Sequence, residues 1–333
     1  MVDGVGSLRS MATPTTDRNA GDTEPAWTTE RVVAPDGTPL TAYRQAVDDD
    51  GTDAVDLLLV HATGFCAAVF DPLVAALPPW FRCVTLDLRF HGASGRPDPL
   101  TYDWSGFAAD VLATVEQLGL DHPVAFGHSC GGASLILAEE HRPGTFAALY
   151  CFEPVIMPSD EPRPPEVEGN PLATGALRRR ETFASASDAF ANFSSKPPFD
   201  TLDPAALRAY VEHGFEPIPD SEGGDGLAVR LRCRREDESQ IYAHGGSHDA
   251  FAHLGSVACP VSLVCGATTD AFGPDVLAAD AARLPRASIQ VLDGMGHFGP
   301  LEAPATVARS VAAALAGHVP SGRGGTATAP PSS

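Results

Sequence analysis

The chain of 333 residues contains 44% hydrophobic and 20% charged residues, a globular balance that allows one large α/β domain with an insertion or two ordinary domains. Its 22 Lys and Arg residues stand against 43 Asp and Glu residues, and the formal charge of -21 argues against nucleic acid or an anionic membrane surface as a partner. The seven scattered cysteines show no C-x-x-C spacing, so they predict neither a disulfide framework nor a zinc site.

The first part of the chain predicts a disordered lead followed by a hairpin. Residues 1–27 are mostly polar and contain no apolar pattern that could form part of a hydrophobic core. Strand-like segments at 29–33 and 38–46 flank the turn sequence at 35–37, and residues 48–51 predict a charged surface turn. No apolar run reaches the length of a membrane span and the N-terminus lacks a secretory signal pattern, so we expect a cytoplasmic protein.

From residue 55 onward, apolar segments typical of buried parallel strands alternate with helical patterns. The apolar segments lie at 55–60, 83–86, 124–127, 146–152, 261–266 and 288–292. Such an alternation predicts an α/β fold with a doubly wound, mostly parallel sheet and helices on both faces.

The pattern changes between residues 156 and 253, which are richer in Pro, Arg and acidic residues and contain only short helical segments. We expect an inserted helical lid here, above a core made of residues 28–155 and 254–318. Residues 319–333 predict a disordered tail rich in Gly, Ser, Thr and Pro. The run at 178–180 within the lid consists of three arginines, which we interpret as a solvated surface because consecutive residues cannot share one side of a helix.

The G-x-S-x-G sequence at 127–131 follows an apolar strand-like segment and leads into a helical pattern. A sharp turn between strand and helix would hold the Ser129 hydroxyl at the carboxyl edge of the sheet, where a nucleophile belongs. The close approach of strand and helix in such a turn requires glycine at positions 127 and 131. Ser129 is therefore the candidate nucleophile.

A serine hydroxyl needs a base to remove its proton. His297 lies in a glycine-flanked loop after the last predicted strand, and its position late in the chain favours it as that base. His61 and His91 lie in loops at the same edge of the sheet and are rivals on position alone.

Two carboxylates compete to orient the base. Asp270 follows the strand that ends at Gly266, and Glu153 follows the strand after the nucleophile turn. Asp270 is favoured because its loop lies next to the strand that carries the histidine, although it stands one residue later than expected; Glu153 remains the alternative acid. Asp293 is interpreted as a turn residue.

Attack on a carbonyl group creates an oxyanion that needs preorganised N–H donors. The amide of Cys130, at the start of the helix after the nucleophile, is one candidate donor, and Thr63 in the loop after the first parallel strand is the other. Phe65, Cys66 and Phe298 suggest a mostly apolar substrate pocket. Nothing in the sequence indicates a metal or a cofactor.

Four segments in this order resemble the α/β-hydrolase superfamily, in particular its lidded bacterial serine hydrolases. They are HATGF at 61–65, DLRFHGAS at 87–94, GHSCGG at 127–132 and GMGHFGPLE at 294–302. The resemblance, which covers residues 29–317, implies the α/β-hydrolase fold, with an eight-stranded mostly parallel sheet and a helical cap, and acyl transfer through Ser129, His297 and an acid. The chain departs from the family pattern at Ala62 and Phe90, where the family often has glycine.

The sequence therefore predicts a hydrolase that acts on a carboxylic ester, lactone or thioester as its small-molecule substrate through an acyl-serine intermediate. A carbon–carbon bond hydrolase acting on a diketone-like substrate would use the same residues, and a small-molecule receptor without turnover is an alternative of another class. The sequence does not indicate the oligomeric state.

Overall fold

The computed structural model of the chain describes residues 26–46, 54–218 and 228–318. Residues 1–25 of the expected disordered lead at 1–27, the charged turn at 48–51 and the expected tail at 319–333 lie outside these described residues. The end of the expected lead is ordered, because Trp27 is buried and begins the first strand. Within the described residues, no helix combines the length and the apolar character that crossing a bilayer requires.

Eleven strands are present in the described part of the chain. In chain order they are β1 (Trp27–Val33), β2 (Pro39–Gln45), β3 (Val55–Val60), β4 (Phe81–Asp87), β5 (Val124–His128), β6 (Ala148–Phe152), β7 (Thr182–Phe183), β8 (Phe215–Ile218), β9 (Ala228–Leu231), β10 (Val261–Gly266) and β11 (Ala287–Leu292). Eight of them form one sheet in the order β1-β2-β4-β3-β5-β6-β10-β11. The pairs β1–β2 and β2–β4 are antiparallel and the remaining pairs are parallel, which confirms the predicted sheet.

The α-helices connect these strands. They are α1 (Asp71–Ala75), α2 (Trp104–Gln117), α3 (Cys130–His141), α4 (Pro171–Leu177), α5 (Ala186–Ser194), α6 (Pro204–His213), α7 (Arg235–His244), α8 (Ala250–His253), α9 (Pro274–Ala281), α10 (Gly299–Glu302) and α11 (Pro304–Leu315). Short 3-10 helices lie at Ala67–Phe70, Phe199–Thr201, Leu254–Ser256 and Ala316–His318.

Both faces of the sheet are covered, as the continuous apolar strands predicted. In β3, Leu57 and Leu59 pack into one hydrophobic cluster, while Leu58 and Val60 pack into a second one on the opposite face. This division follows from the alternation of side chains along a strand. The parallel strands therefore end at one buried sheet edge, where the loops after β3, β5, β6, β10 and β11 meet.

The insertion between β6 and β10 contains helices α4 to α8 and the antiparallel sheet β7-β9-β8, whereas the sequence indicates only short helical segments there. These strands have only two to four residues, so they leave no apolar run for a sequence pattern to reveal. Helix α7 is joined to the core by hydrogen bonds from Arg96 and Tyr102 to Asp237, each of 2.7 Å.

Candidate active site

Ser129 lies on a strained turn between β5 and α3. Its backbone has φ 55° and ψ -115°, a conformation that non-glycine residues rarely adopt and that is costly unless the surroundings hold it. A Cβ atom at Gly131 would lie 2.1 Å from the carbonyl oxygen of Val60, and one at Gly127 would lie 2.6 Å from the Cα atom of Gly132. The strand and the helix thus approach as closely as the glycines predict, and this approach keeps Ser129 at the sheet edge.

His297 lies in the loop between β11 and α10, on the same edge of the sheet. Its Nδ1 donates a hydrogen bond of 2.7 Å to Oε2 of Glu153, whose side chain is fully buried, while 18% of the His297 side chain is exposed. The hydrogen bond fixes the tautomer that carries its proton on Nδ1 and leaves Nε2 free to accept a proton.

The Glu153 carboxylate is held by two further donors. The amide of Gly266 donates to Oε1 at 3.0 Å, and the Thr269 hydroxyl donates to Oε2 at 2.7 Å. The Glu153 backbone has a positive φ of 46°, and its amide donates to the carbonyl of Val264 in the neighbouring strand. These contacts fix the carboxylate in one position against the imidazole ring.

The structure corrects the favoured placement of Asp270. Asp270 is exposed, and within the described residues no hydrogen bond joins it to His297. Strand order alone would favour Asp270, because β10 lies next to β11, but the loop after β10 packs so that Thr269 donates its hydroxyl to Glu153, and Glu153 is the residue that contacts His297. The partner of His297 is the alternative acid, Glu153.

The hydroxyl of Ser129 makes no hydrogen bond to His297 among the described contacts, and Ser129 is only 8% exposed. Catalytic hydrogen bonds are often long in an enzyme without substrate and tighten when substrate binds. Ser129, His297 and Glu153 lie on one edge of the sheet and have little contact with solvent.

The rival histidines His61 and His91 are buried parts of the scaffold. Nδ1 of His61 donates to the carbonyl of Ala62, and its Nε2 accepts from the amide of Leu88; burial lowers the pKa of His61 to about 4. Nδ1 of His91 donates to the carbonyl of Arg89, its Nε2 accepts from the amide of Gly64, and burial together with His61 lowers the pKa of His91 to about 3. Both ring nitrogens of each residue are occupied, which leaves neither histidine free to act as a base.

The two expected oxyanion donors lie at the same edge. Cys130 is the first residue of α3, where backbone N–H groups lack partners within the helix. The amide of Thr63 makes no hydrogen bond to any of the described residues. The amide of the next residue, Gly64, donates to His91. Burial raises the pKa of the Cys130 thiol to about 12, so this thiol stays protonated and does not compete as a nucleophile.

Aromatic side chains adjoin the site. The Phe65 ring centroid lies 5.8 Å from that of Phe298 and 5.1 Å from that of Tyr210, and Phe298 lies 5.3 Å from His297. Cys66 is 1% exposed and belongs to the same hydrophobic cluster as Phe65. Of the pocket residues expected from the sequence, Phe298 therefore lies beside His297 and Phe65 packs on Phe298, whereas Cys66 is placed only in the same hydrophobic cluster.

Two features of the site were not expected from the sequence. His128, directly before Ser129, donates a 2.9 Å hydrogen bond from Nε2 to the carbonyl of His297. Arg179, in the run expected to be solvated, has a side chain that is only 17% exposed and is paired with Glu238, whereas Arg178 and Arg180 are exposed. No sequence pattern predicts either contact, because each joins residues from distant segments of the chain that meet only in the folded structure.

Comparisons with known proteins identify the family and the fold of the chain. A model of the alpha/beta hydrolase family matches residues 57–310. The 2-(acetamidomethylene)succinate hydrolase of Mesorhizobium japonicum is 25% identical over 249 residues, which cover 73% of this chain and 81% of that protein.

Solved structures show the same fold. A crystal structure of E-2-(acetamidomethylene)succinate hydrolase matches with a TM-score of 0.69 and 20% identity, over 86% of this chain and 98% of that one. The peroxisomal alpha-beta-hydrolase Lpx1 of Saccharomyces cerevisiae matches with a TM-score of 0.71 and 19% identity, over 94% of each chain.

Proposed function

Because the chain belongs to the alpha/beta hydrolase family, we propose that it is a serine hydrolase that cleaves a carboxylic ester, lactone or thioester through an acyl group on Ser129. The observation that carries this proposal is the hydrogen bond of 2.7 Å between His297 and the buried Glu153, on the same sheet edge as the strained turn of Ser129. A base in a fixed tautomer beside such a turn is the arrangement that activates a serine hydroxyl.

In the first half of the reaction, Nε2 of His297 takes the proton of the Ser129 hydroxyl while Oγ forms a bond to the substrate carbonyl carbon. The carbonyl oxygen becomes an oxyanion and accepts hydrogen bonds from the amides of Thr63 and Cys130. When the bond to the leaving group breaks, the imidazolium returns its proton to the leaving oxygen or sulfur, and an acyl-serine remains.

In the second half, water replaces the leaving group. His297 removes a proton from the water molecule as the water oxygen attacks the acyl carbon. The imidazolium then gives this proton to Oγ of Ser129 as the carboxylic acid product departs. Glu153 keeps the ring in the productive tautomer and balances the positive charge of the imidazolium in both halves. These steps need only side chains, backbone amides and water.

In this proposal the acid is Glu153 and not Asp270. A carboxylate orients an imidazole only when it lies within hydrogen-bonding distance of Nδ1. Glu153 meets this condition, and its burial strengthens its electrostatic effect on the ring. The family model and the relative from Mesorhizobium japonicum support hydrolysis in general, while the ester, lactone or thioester substrate and the cytoplasmic location are our proposals.

Turnover of short-chain aryl esters by the wild-type protein tests this function, with Ser129→Ala as the control. We expect the wild type to release the aryl alcohol and the variant to lose at least about 10³-fold in kcat. If the protein does not hydrolyse simple esters but cleaves a diketone, it is a carbon–carbon bond hydrolase. A protein that binds ligands with no Ser129-dependent turnover of either substrate would be a receptor, and the proposed function would then be wrong.

A further inference from the structure

The side chain of Arg179 is mostly shielded from solvent and packs against the loop that follows β3. Arg179 follows α4 and precedes β7, and 17% of its side chain is exposed. A Cβ atom built on Gly64, next to the proposed oxyanion donor Thr63, would lie 3.2 Å from Nη1 of Arg179 and 2.6 Å from Oε1 of Glu238. The guanidinium group therefore lies directly beside the loop that follows β3.

Aromatic rings connect Arg179 to the base. The guanidinium carbon lies 5.8 Å from the ring centroids of both Phe193 and Phe199. The Phe199 ring lies 5.7 Å from that of Phe65, and Phe65 in turn contacts Phe298, the neighbour of His297. A substrate that extends from Ser129 along these rings would meet the guanidinium group.

The hydrogen-bonding capacity of Arg179 is only partly used. Nη1 donates to Oε2 of Glu238 at 2.5 Å and Nη2 donates to the Tyr210 hydroxyl at 2.6 Å. Guanidinium carries five N–H donors, so three of them have no acceptor among the described residues. The Tyr210 hydroxyl that accepts from Arg179 also retains its own proton to donate.

Burying an ion pair among aromatic rings is costly, and apolar side chains of similar volume would stabilise the folded protein at least as well at these positions. A binding role gives a reason for the charge, because a guanidinium group with unused donors recognises carboxylates in a planar, bidentate geometry. In the absence of substrate, the negative charge of Glu238 balances the positive charge of Arg179, which limits the energetic cost of burying the guanidinium group.

We propose that Arg179 binds a carboxylate of the substrate, so that the substrate class is an ester or thioester that carries a carboxylate. This inference rests on the proposed function. It predicts discrimination by charge between substrates that are otherwise alike, which a purely structural ion pair would not produce.

The test compares two pairs of aryl esters. The mono-p-nitrophenyl ester of succinate and its methyl ester differ only in a carboxylate on the acyl side, and 4-acetoxybenzoate and its methyl ester differ in the same way on the leaving-group side. We expect the wild type to prefer the anionic member of at least one pair. Arg179→Met should lower that ratio of kcat/KM values about 10- to 100-fold, the range expected for a lost charge-assisted hydrogen bond.

Two further variants make the test specific. Arg178→Met removes an exposed arginine of the same run and should leave the ratio unchanged. Glu238→Gln removes the carboxylate that competes for the guanidinium group, so the ratio should rise. An equal loss by Arg179→Met on both members of each pair would overturn the inference and leave only a structural ion pair.

A binding measurement separates this inference from the proposed function. Ser129→Ala cannot form an acyl-serine, so calorimetric titration of this variant with the mono-anilide of succinate, and with 4-acetamidobenzoate for the leaving-group side, measures the carboxylate contact without turnover. We expect at least one ligand to bind, with binding weakened at least tenfold when Arg179→Met is added. Equal affinities with and without Arg179 would overturn the inference, whereas Ser129-independent ester turnover would overturn the proposed function alone.

Discussion

Nδ1 of His297 lies 2.7 Å from Oε2 of Glu153, a residue 144 positions earlier in the chain. The two residues meet because β6 ends just before Glu153, and the loop that carries His297 after β11 lies over the same sheet edge. Three donors converge on the Glu153 carboxylate, and the positive φ of its backbone shows that the local structure is arranged to hold it there.

Glu153→Gln tests the assignment of the acid. The amide of glutamine cannot balance the positive charge of the imidazolium and favours the wrong tautomer of His297, so kcat should fall by about 10²- to 10⁴-fold. Asp270→Asn, the matched change in the exposed carboxylate, should alter kcat less than about threefold. A larger loss in Asp270→Asn than in Glu153→Gln, measured by ester hydrolysis, would contradict the assignment.

His128→Phe tests whether the residue before the nucleophile positions the base. His128 remains neutral because burial and the adjacent His297 hold the pKa of His128 well below its ordinary value, and its Nε2–H donates to the His297 carbonyl. Phenylalanine fills a similar volume without a donor, so kcat should fall about tenfold with little change in KM. His128→Gln, which keeps an N–H donor, should recover part of this loss; equal losses in both variants with unchanged thermal stability would remove the positioning role.

The acid sensitivity of the fold should depend on His91. Burial and the neighbouring His61 lower the pKa of His91 to about 3, below the value of about 6.5 in an unfolded chain. As pH falls below about 6.5, the unfolded chain binds a proton that the native protein does not, so the free energy of unfolding falls by up to about 1.4 kcal/mol per pH unit for this residue.

The variant His91→Gln removes this titration and keeps a side-chain acceptor for the amide of Gly64. Urea unfolding at pH 7, 6 and 5 should show that the variant is less stable at pH 7 but loses stability more slowly as pH falls. Parallel curves for the two proteins would show that His91 does not titrate in this way.

The fold should become more stable when Asp280 is replaced by leucine. Asp280 is fully buried in α9, both of its carboxylate oxygens lack a hydrogen-bond partner among the described residues, and burial raises the pKa of Asp280 to about 7. Between about pH 4 and pH 7 the unfolded chain loses a proton that the native protein keeps, so the unfolding free energy falls by up to about 1.4 kcal/mol per unit of rising pH and then levels off.

Thermal melts at pH 5 and pH 8 check this expectation. Asp280→Leu should raise the Tm at both values and more at pH 8, and Asp280→Asn should raise it less, because the amide is also left without partners. A lower Tm for Asp280→Leu than for the wild type at pH 8 would contradict this expectation and show that the Asp280 carboxylate stabilises the fold.

Much of this fold could be predicted from the sequence, and the reasons are local. Residues 57–60 are apolar throughout because this part of β3 is covered on both faces, and the glycines on either side of Ser129 are required by the close approach of strand and helix. The predicted lid contains an additional sheet because β7, β8 and β9 are too short to produce a periodic pattern.

The pairing of residues across the site could not be predicted in the same way. Asp270 and Glu153 both follow buried strands, and only the packing of loops at the sheet edge decides which carboxylate reaches His297. Arg179 and its two neighbours are identical in type, so their different burial depends on where the segment after α4 meets α6 and α7. Long-range contacts of this kind are set by tertiary structure and leave no pattern in a single sequence.

Labelling with a fluorophosphonate probe, followed by intact-mass measurement and peptide mapping, tests whether Ser129 is an activated nucleophile. We expect the wild type to gain one phosphonyl group on Ser129, Ser129→Ala to gain none, and Glu153→Gln to be labelled at least about tenfold more slowly than Asp270→Asn. An unlabelled wild type, or equal labelling of Ser129→Ala, would contradict the claim that Ser129 is a nucleophile activated by His297 and Glu153.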